Sequence, residues 1–249
     1  MRVPALAALG VAAYAAFLVG TMPASFVLAR AQAAQPGKFE VRESGGTAWH
    51  GSAKVTLATP GGPVAVDRLQ WHWRPSRLLA GRIAFDITAA APGLDARYEG
   101  ARTFTQWEAR DLVARGDAAA MSTLLPWLAP WRPEGAVTIT SPRLATDGVE
   151  VRGEARVEWR GAALALSEVR PLGTYRADIQ AEGHAGRVKI ATVEGPLRIT
   201  GQGTLAPPTR FTFTGEARAE GPQAAALEPL LGRMGPARAD GSRALEWRM

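Results

Sequence analysis

The chain has 249 residues, a formal net charge of +6 and no cysteine, which excludes disulfides, thiolate metal sites and a cysteine nucleophile. Only Lys38, Lys54 and Lys189 are lysines, so arginine carries the basic character, and asparagine is absent. This is the composition that codon drift in a GC-rich genome produces. A nucleic-acid site would want a basic patch with interleaved aromatics; here arginines alternate with Glu and Asp, so no nucleic-acid partner is expected.

In chain order, the first feature is the uncharged run VPALAALGVAAYAAFLVGTMPASFVLA between Arg2 and Arg30. A helix needs about 20 apolar residues to cross the hydrocarbon core of a bilayer. A cleavable signal peptide has a shorter apolar core, about 7–15 residues, and an A-x-A-like site, a form that ARA or AQA near Arg30 has. The length of the run favours an uncleaved signal anchor over residues 3–29. Residues 1–2 are then a cytoplasmic stub and residues 30–249 a periplasmic β-rich domain. Arg30, Lys38 and Arg42 follow the run, so charge says little about orientation, and long following domains translocate largely regardless of it.

From Thr47 onward the sequence alternates with the period of a strand. In VEVRGEARVEWR (149–160), Val149, Val151, Gly153, Ala155, Val157 and Trp159 share one face and the charged residues the other. YRADIQAE (175–182) and RFTFTGEARAE (210–220) repeat the pattern, placing Phe213 inward. KVTLATPGGPVAVDRLQWHW reads as a hairpin turning at Pro60-Gly61-Gly62-Pro63, and residues 185–203 as two strands joined at Glu194-Gly195-Pro196. The expected fold is mainly β, a curved antiparallel sheet of many strands.

Two segments interrupt it with helix-like spacing: DAAAMSTLLPWLAPW (117–131) and PQAAALEPLLGRMG (222–235). Ala118–Ala120 align with Ala224–Ala226, Leu124-Leu125 with Leu230-Leu231, Pro130 with Pro236 and Glu134-Gly135 with Asp240-Gly241, at a constant offset. We read this as an internal duplication, with repeat units of about 44–146 and 147–249.

Candidate chemistry is sparse. His50, His72 and His184 are the three histidines, none spaced to share a helix face, and a zinc site needs about four ligands. No metal or cofactor is expected. Strand alternation puts Trp71 and Trp73 on one face and His72 on the other. Ser52 lacks the G-x-S-x-G elbow, and no phosphate-binding glycine motif occurs. Glu108, Asp111 and Glu154 fall within alternating strands, where a solvated face is the ordinary explanation. In GGTAWHGSAKV (45–55), Trp49 is expected to be a buried anchor of a first strand, His50 its outward neighbour, and Gly51 the site of a kink or bulge. No catalytic, cofactor-binding or metal residue is assigned.

The chain resembles the protein N family of the type II secretion system. The resemblance runs through VPALAALGVAAYAAFLVGTMPAS, SGGTAWHGSA (44–53), LQWHWRPSRLLAGRIAFDI (69–87), PLGTYRADIQAEG (171–183), VEGPLRITGQG (193–203) and LEPLLGRMGPARADGSRALEW (227–247). It implies a single-pass inner-membrane protein with a periplasmic body, without enzymatic activity or cofactor, whose partners are other subunits of the machine that exports folded proteins across the outer membrane. A scaffold of this kind needs exposed partner surfaces, for which Trp127 and Trp131 are candidates. The strand–helix–strand duplication is also similar to that of AsmA-like envelope proteins, whose curved sheets form apolar grooves linked to lipid. That likeness implies lipid contact along inward positions such as Val151 and Phe213.

Overall fold

The computed structural model describes residues 3–206 and 210–248, with side chains over 9–206 and 211–248. The uncharged run folds as two helices, α1 (Val3–Gly20) and α2 (Ala24–Ala34), broken at Thr21–Pro23. Proline at position 23 ends one helix and starts the next, since its ring fixes φ and removes a backbone donor. Among the described residues no helix is long and apolar enough to cross a membrane.

Thirteen strands follow among the described residues: β1 (Phe39–Gly46), β2 (His50–Thr59), β3 (Gly62–Trp73), β4 (Ile83–Ala91), β5 (Leu94–Arg102), β6 (Trp107–Asp117), β7 (Pro133–Thr146), β8 (Val151–Leu164), β9 (Gly173–Gly183), β10 (Ala185–Glu194), β11 (Leu197–Ala206), β12 (Arg210–Ala219) and β13 (Arg243–Arg248). Each pairs antiparallel with its neighbour in the chain, in one sheet whose order is the sequence order. Among the described residues β1 and β13 each have one partner, so the sheet is open. Two helices sit in the connections: α3 (Ala118–Leu124) between β6 and β7, α4 (Ala224–Met234) between β12 and β13. Strand structure starts at Phe39, earlier than the alternation from Thr47 suggests.

In such a meander the connections after odd strands all lie at one end of the sheet and those after even strands at the other. We call these the near and far ends. The near end holds the β1–β2 turn, the 3-10 segment Pro75–Ala80 between β3 and β4, and the β5–β6 and β7–β8 turns. The far end holds α3, α4 and the 3-10 segment Pro126–Trp131 that follows α3.

The period-two pattern becomes two faces. A single apolar row crosses β2 to β13 as Ala53, Leu69, Ala89, Ala96, Ala114, Ile139, Val157, Ala177, Ile190, Gly201, Gly215 and Leu245, each opposite the next. On the reverse face Arg156 faces Asp178 and Lys189 faces Asp178 and Gln202. Sheets of more than about 10 strands curl, and register shifts in several ladders, among them β2–β3, β5–β6 and β7–β8, add bend. The curl is wide enough that Thr59 Oγ1, at the end of β2, donates to the Thr123 carbonyl of α3 at 3.0 Å.

Two clusters of buried residues close the apolar face at its ends. α4 lays Leu227, Leu230 and Leu231 on Phe213, Ala217, Leu197 and Leu245. At the other edge Leu28 of α2 packs on Ala53, Val55 and Val66. Phe213 therefore lies in the core beneath α4, 1% exposed, and lines no open groove. Between the clusters, Ile139, Val157 and Ile179 are half-buried, so the middle of the face is only partly covered. Removing the Phe213 ring (Phe213→Ala) should lower the unfolding free energy of the detergent-solubilised chain by about 4 kcal/mol in urea titration. Leu166→Ala, at a side chain 47% exposed, should stay within about 0.5 kcal/mol.

Candidate functional site

The GGTAWHGSA stretch is the joint between α1 and the sheet. Thr47 and Ala48 belong to the tight β1–β2 turn, where Gly46 has φ +83°, a left-handed conformation that glycine adopts without cost to a Cβ. The last carbonyls of a helix lack intrahelical partners. Here the Trp49 indole Nε1 donates to the Val19 carbonyl of α1 at 2.8 Å, and the Ala48 amide donates to Met22 O at 2.8 Å. Trp49 is thus half-buried in a turn rather than buried in a strand, its ring 4.8 Å from that of Trp73. The Trp71 indole donates to the carbonyls of Thr47 and Ala48, and its ring lies so close over Gly51 that a Cβ there would run into it.

On the other face His50 and His72 meet as register partners, their Nε2 atoms 3.2 Å apart. The histidines are far apart in sequence, and only the β2–β3 pairing brings them together. Ser52 and His184 are exposed on strand surface and turn. Among the described residues no three His, Asp or Glu side chains gather as a metal site.

The strongest electrostatic centre is Glu108 of β6. Alternation suggests a solvated carboxylate there; instead its side chain is 1% exposed. Arg143 reaches it at 2.7 Å, Arg110 at 3.0 Å and Arg82 at 3.9 Å, and the Gln106 amide donates at 2.9 Å. The row Ala84, Ala101, Glu108 and Ala145 is buried because the chain at residues 74–82 folds back over it. Beside it, Arg77 pairs with the buried Glu99 at 2.7 Å and Arg74 with Asp86 at 2.6 Å. Burial alone would push the Glu108 carboxyl up. The hydrogen bonds from Arg110 and Arg143, with their charges, outweigh it and hold the group below the ordinary carboxylate value. This hub fastens the 3-10 segment and the β5–β6 turn to the sheet. Asp111 sits exposed in a bulge with φ 50°, and Glu154 stays exposed on β8.

Beyond α1 and α2, hydrophobic side chains left in water concentrate at the two ends of the sheet. At the near end Leu79 and Phe104 are both 95% exposed, and Leu78, Ile83, Trp107, Val149 and Val151 are also exposed. At the far end Trp127 is 48% exposed beside Leu124 and Leu125, whereas Trp131 is partly buried against the α4 cluster.

The profile of the family described as "Type II secretion system (T2SS), protein N" matches residues 37–246. A protein from Pectobacterium carotovorum subsp. carotovorum, "Type II secretion system protein N", is 24% identical over 250 residues, covering 95% of this chain and 93% of that protein. No solved structure matches the chain.

The hub makes a pH-dependent prediction. Glu108→Gln leaves the arginines without their carboxylate and should cost about 2 kcal/mol at neutral pH, read by urea titration. Because the folded carboxyl titrates below its unfolded value, its contribution is full above that value and is lost as pH falls through the folded one. The stabilities of the native chain and the variant should therefore converge on acidification below about pH 4.

Proposed function

The chain belongs to the protein N family of the type II secretion system, and from that premise we propose that it is a non-enzymatic inner-membrane component of that machine, anchored by α1 and carrying its sheet in the periplasm. The observation that carries the anchor is the surface of α1. Leu9, Val11, Tyr14, Phe17, Leu18 and Val19 point around the whole circumference and remain 48–70% exposed. A helix apolar on every side needs an apolar surround. At 18 residues and 1.5 Å per residue, α1 is about 27 Å long, short of a hydrocarbon core of about 30 Å, and local thinning of the bilayer would make up the difference.

Contact with other secretion subunits is assigned to the far end, where Leu124, Leu125 and Trp127 stand in water away from the anchor. The expected duplication has support of its own in the order of the elements. Residues 44–146 take in β2 to β7 and residues 147–249 take in β8 to β13, with α3 and α4 each placed before the last strand of its unit. This is the arrangement two tandem copies would give. A second reading, an AsmA-like lipid-handling groove, has one observation in its favour: the unbroken apolar row, half-open between α2 and α4.

A photo-crosslinking residue at Trp127, in living cells, should capture another secretion subunit, while one at Ile139 or Val157 should capture no lipid; lipid adducts there would favour the groove. For the anchor, Val11→Arg with Tyr14→Arg places two charges near the middle of the span, each costing about 3 kcal/mol there. The doubly substituted chain should move from the membrane to the soluble fraction.

A further inference from the structure

Resting on the anchor proposed above, we infer that the near end of the sheet is a membrane-interface surface, seated in the headgroup layer of the bilayer that holds α1. The topology puts α1 and this end together: the Val19 and Met22 carbonyls of the helix exit are bonded to the β1–β2 turn. The other near-end connections then lie on the same side of the sheet. They carry Leu79 and Phe104, both 95% exposed, a degree of exposure that large apolar side chains reach in water only at a cost. Trp107, 56% exposed, lies with them, and the Arg102 guanidinium sits 4.5 Å from its ring centroid. Trp and Arg in this combination suit the boundary between acyl chains and headgroups.

Charge selects the partner. Residues 74–83, RPSRLLAGRI, surround Leu78 and Leu79 with Arg74, Arg77 and Arg82 and hold no acidic residue. The arginines of this segment are paired, but Glu108 is one carboxylate shared by Arg82, Arg110 and Arg143, so this end keeps an excess of positive charge, and the segment binds anionic lipid by buried apolar area and electrostatic attraction together. The salt bridges to Asp86, Glu99 and Glu108 fix its backbone against the sheet. The leucines are thus presented on a rigid support, and insertion needs no refolding.

The chain has no cysteine, so single-cysteine variants can be labelled cleanly. The full chain would be reconstituted in vesicles of phosphatidylethanolamine and phosphatidylglycerol with brominated acyl chains. An environment-sensitive fluorophore would be placed at Leu79→Cys or Phe104→Cys on the near end, at Leu166→Cys or Val193→Cys on the far end, and at Val11→Cys in α1. Quenching at 79 and 104 several-fold above that at 166 and 193 is the expected result. Equal, low quenching at all four positions overturns the inference. The label at 11 reports separately on the anchor: quenched at 11 but not at 79 and 104 leaves the anchor standing without a seated sheet.

Discussion

A long sheet with one apolar face must hide that face from water, and this chain has little to hide it with. The row from Ala53 to Leu245 crosses twelve strands, while α2 and α4 cover only its two ends. Buried apolar surface stabilises by roughly 25 cal/mol per Å², so the covered ends hold most of the packing energy. The middle relies on curl, which turns half-buried side chains toward one another. The small residues of the row, alanines along β4 to β6 and glycines on β11 and β12, let the strands bend and expose little apolar area where no helix lies above them.

The same constraint explains the asymmetry of the two ends. Every long connection with a helix of its own, through α3 and α4, falls at the far end, and α3 reaches back to the β2–β3 turn through Thr123. Among the described residues the near end has short turns and one 3-10 segment, and its cover is polar. Glu108, Glu99 and Asp86 draw in Arg82, Arg77 and Arg74, and the leucines between those arginines are left facing outward. Packing at one end and ion pairing at the other thus give the two ends of the sheet different surfaces.

Much of this was legible in the sequence because strand alternation is local. The turns at Pro60–Gly61 and Glu194–Pro196 and the positions of both helices follow from patterns within a few residues. What was not legible depends on distance along the chain or on register. Phe39 to Gly46 has too few alternating apolar residues to read as a strand, and it forms one by pairing with β2. A strict hairpin closed at Pro60–Gly61 would pair His50 with Trp71; the bulge between Ala53 and Val55 advances the register by one and brings His50 to His72 instead. Glu108 looks like any outward carboxylate until residues 74–82 cross over it. The break at Thr21–Pro23 was masked by the absence of charge around it, and Trp49 read as a core residue because its partner, the Val19 carbonyl, is a backbone atom without sequence signature.

On the topology proposed here, the β1–β2 turn and its Trp49 hydrogen bond hold the sheet against the bilayer by its near end. Neutron reflectometry of the full chain in a supported bilayer tests this most directly, because it resolves the layers of lipid, water and protein along the membrane normal. Protein density beginning within the headgroup layer and continuing outward without a break is the expected result. A hydrated layer separating the headgroups from the bulk of the protein would contradict it.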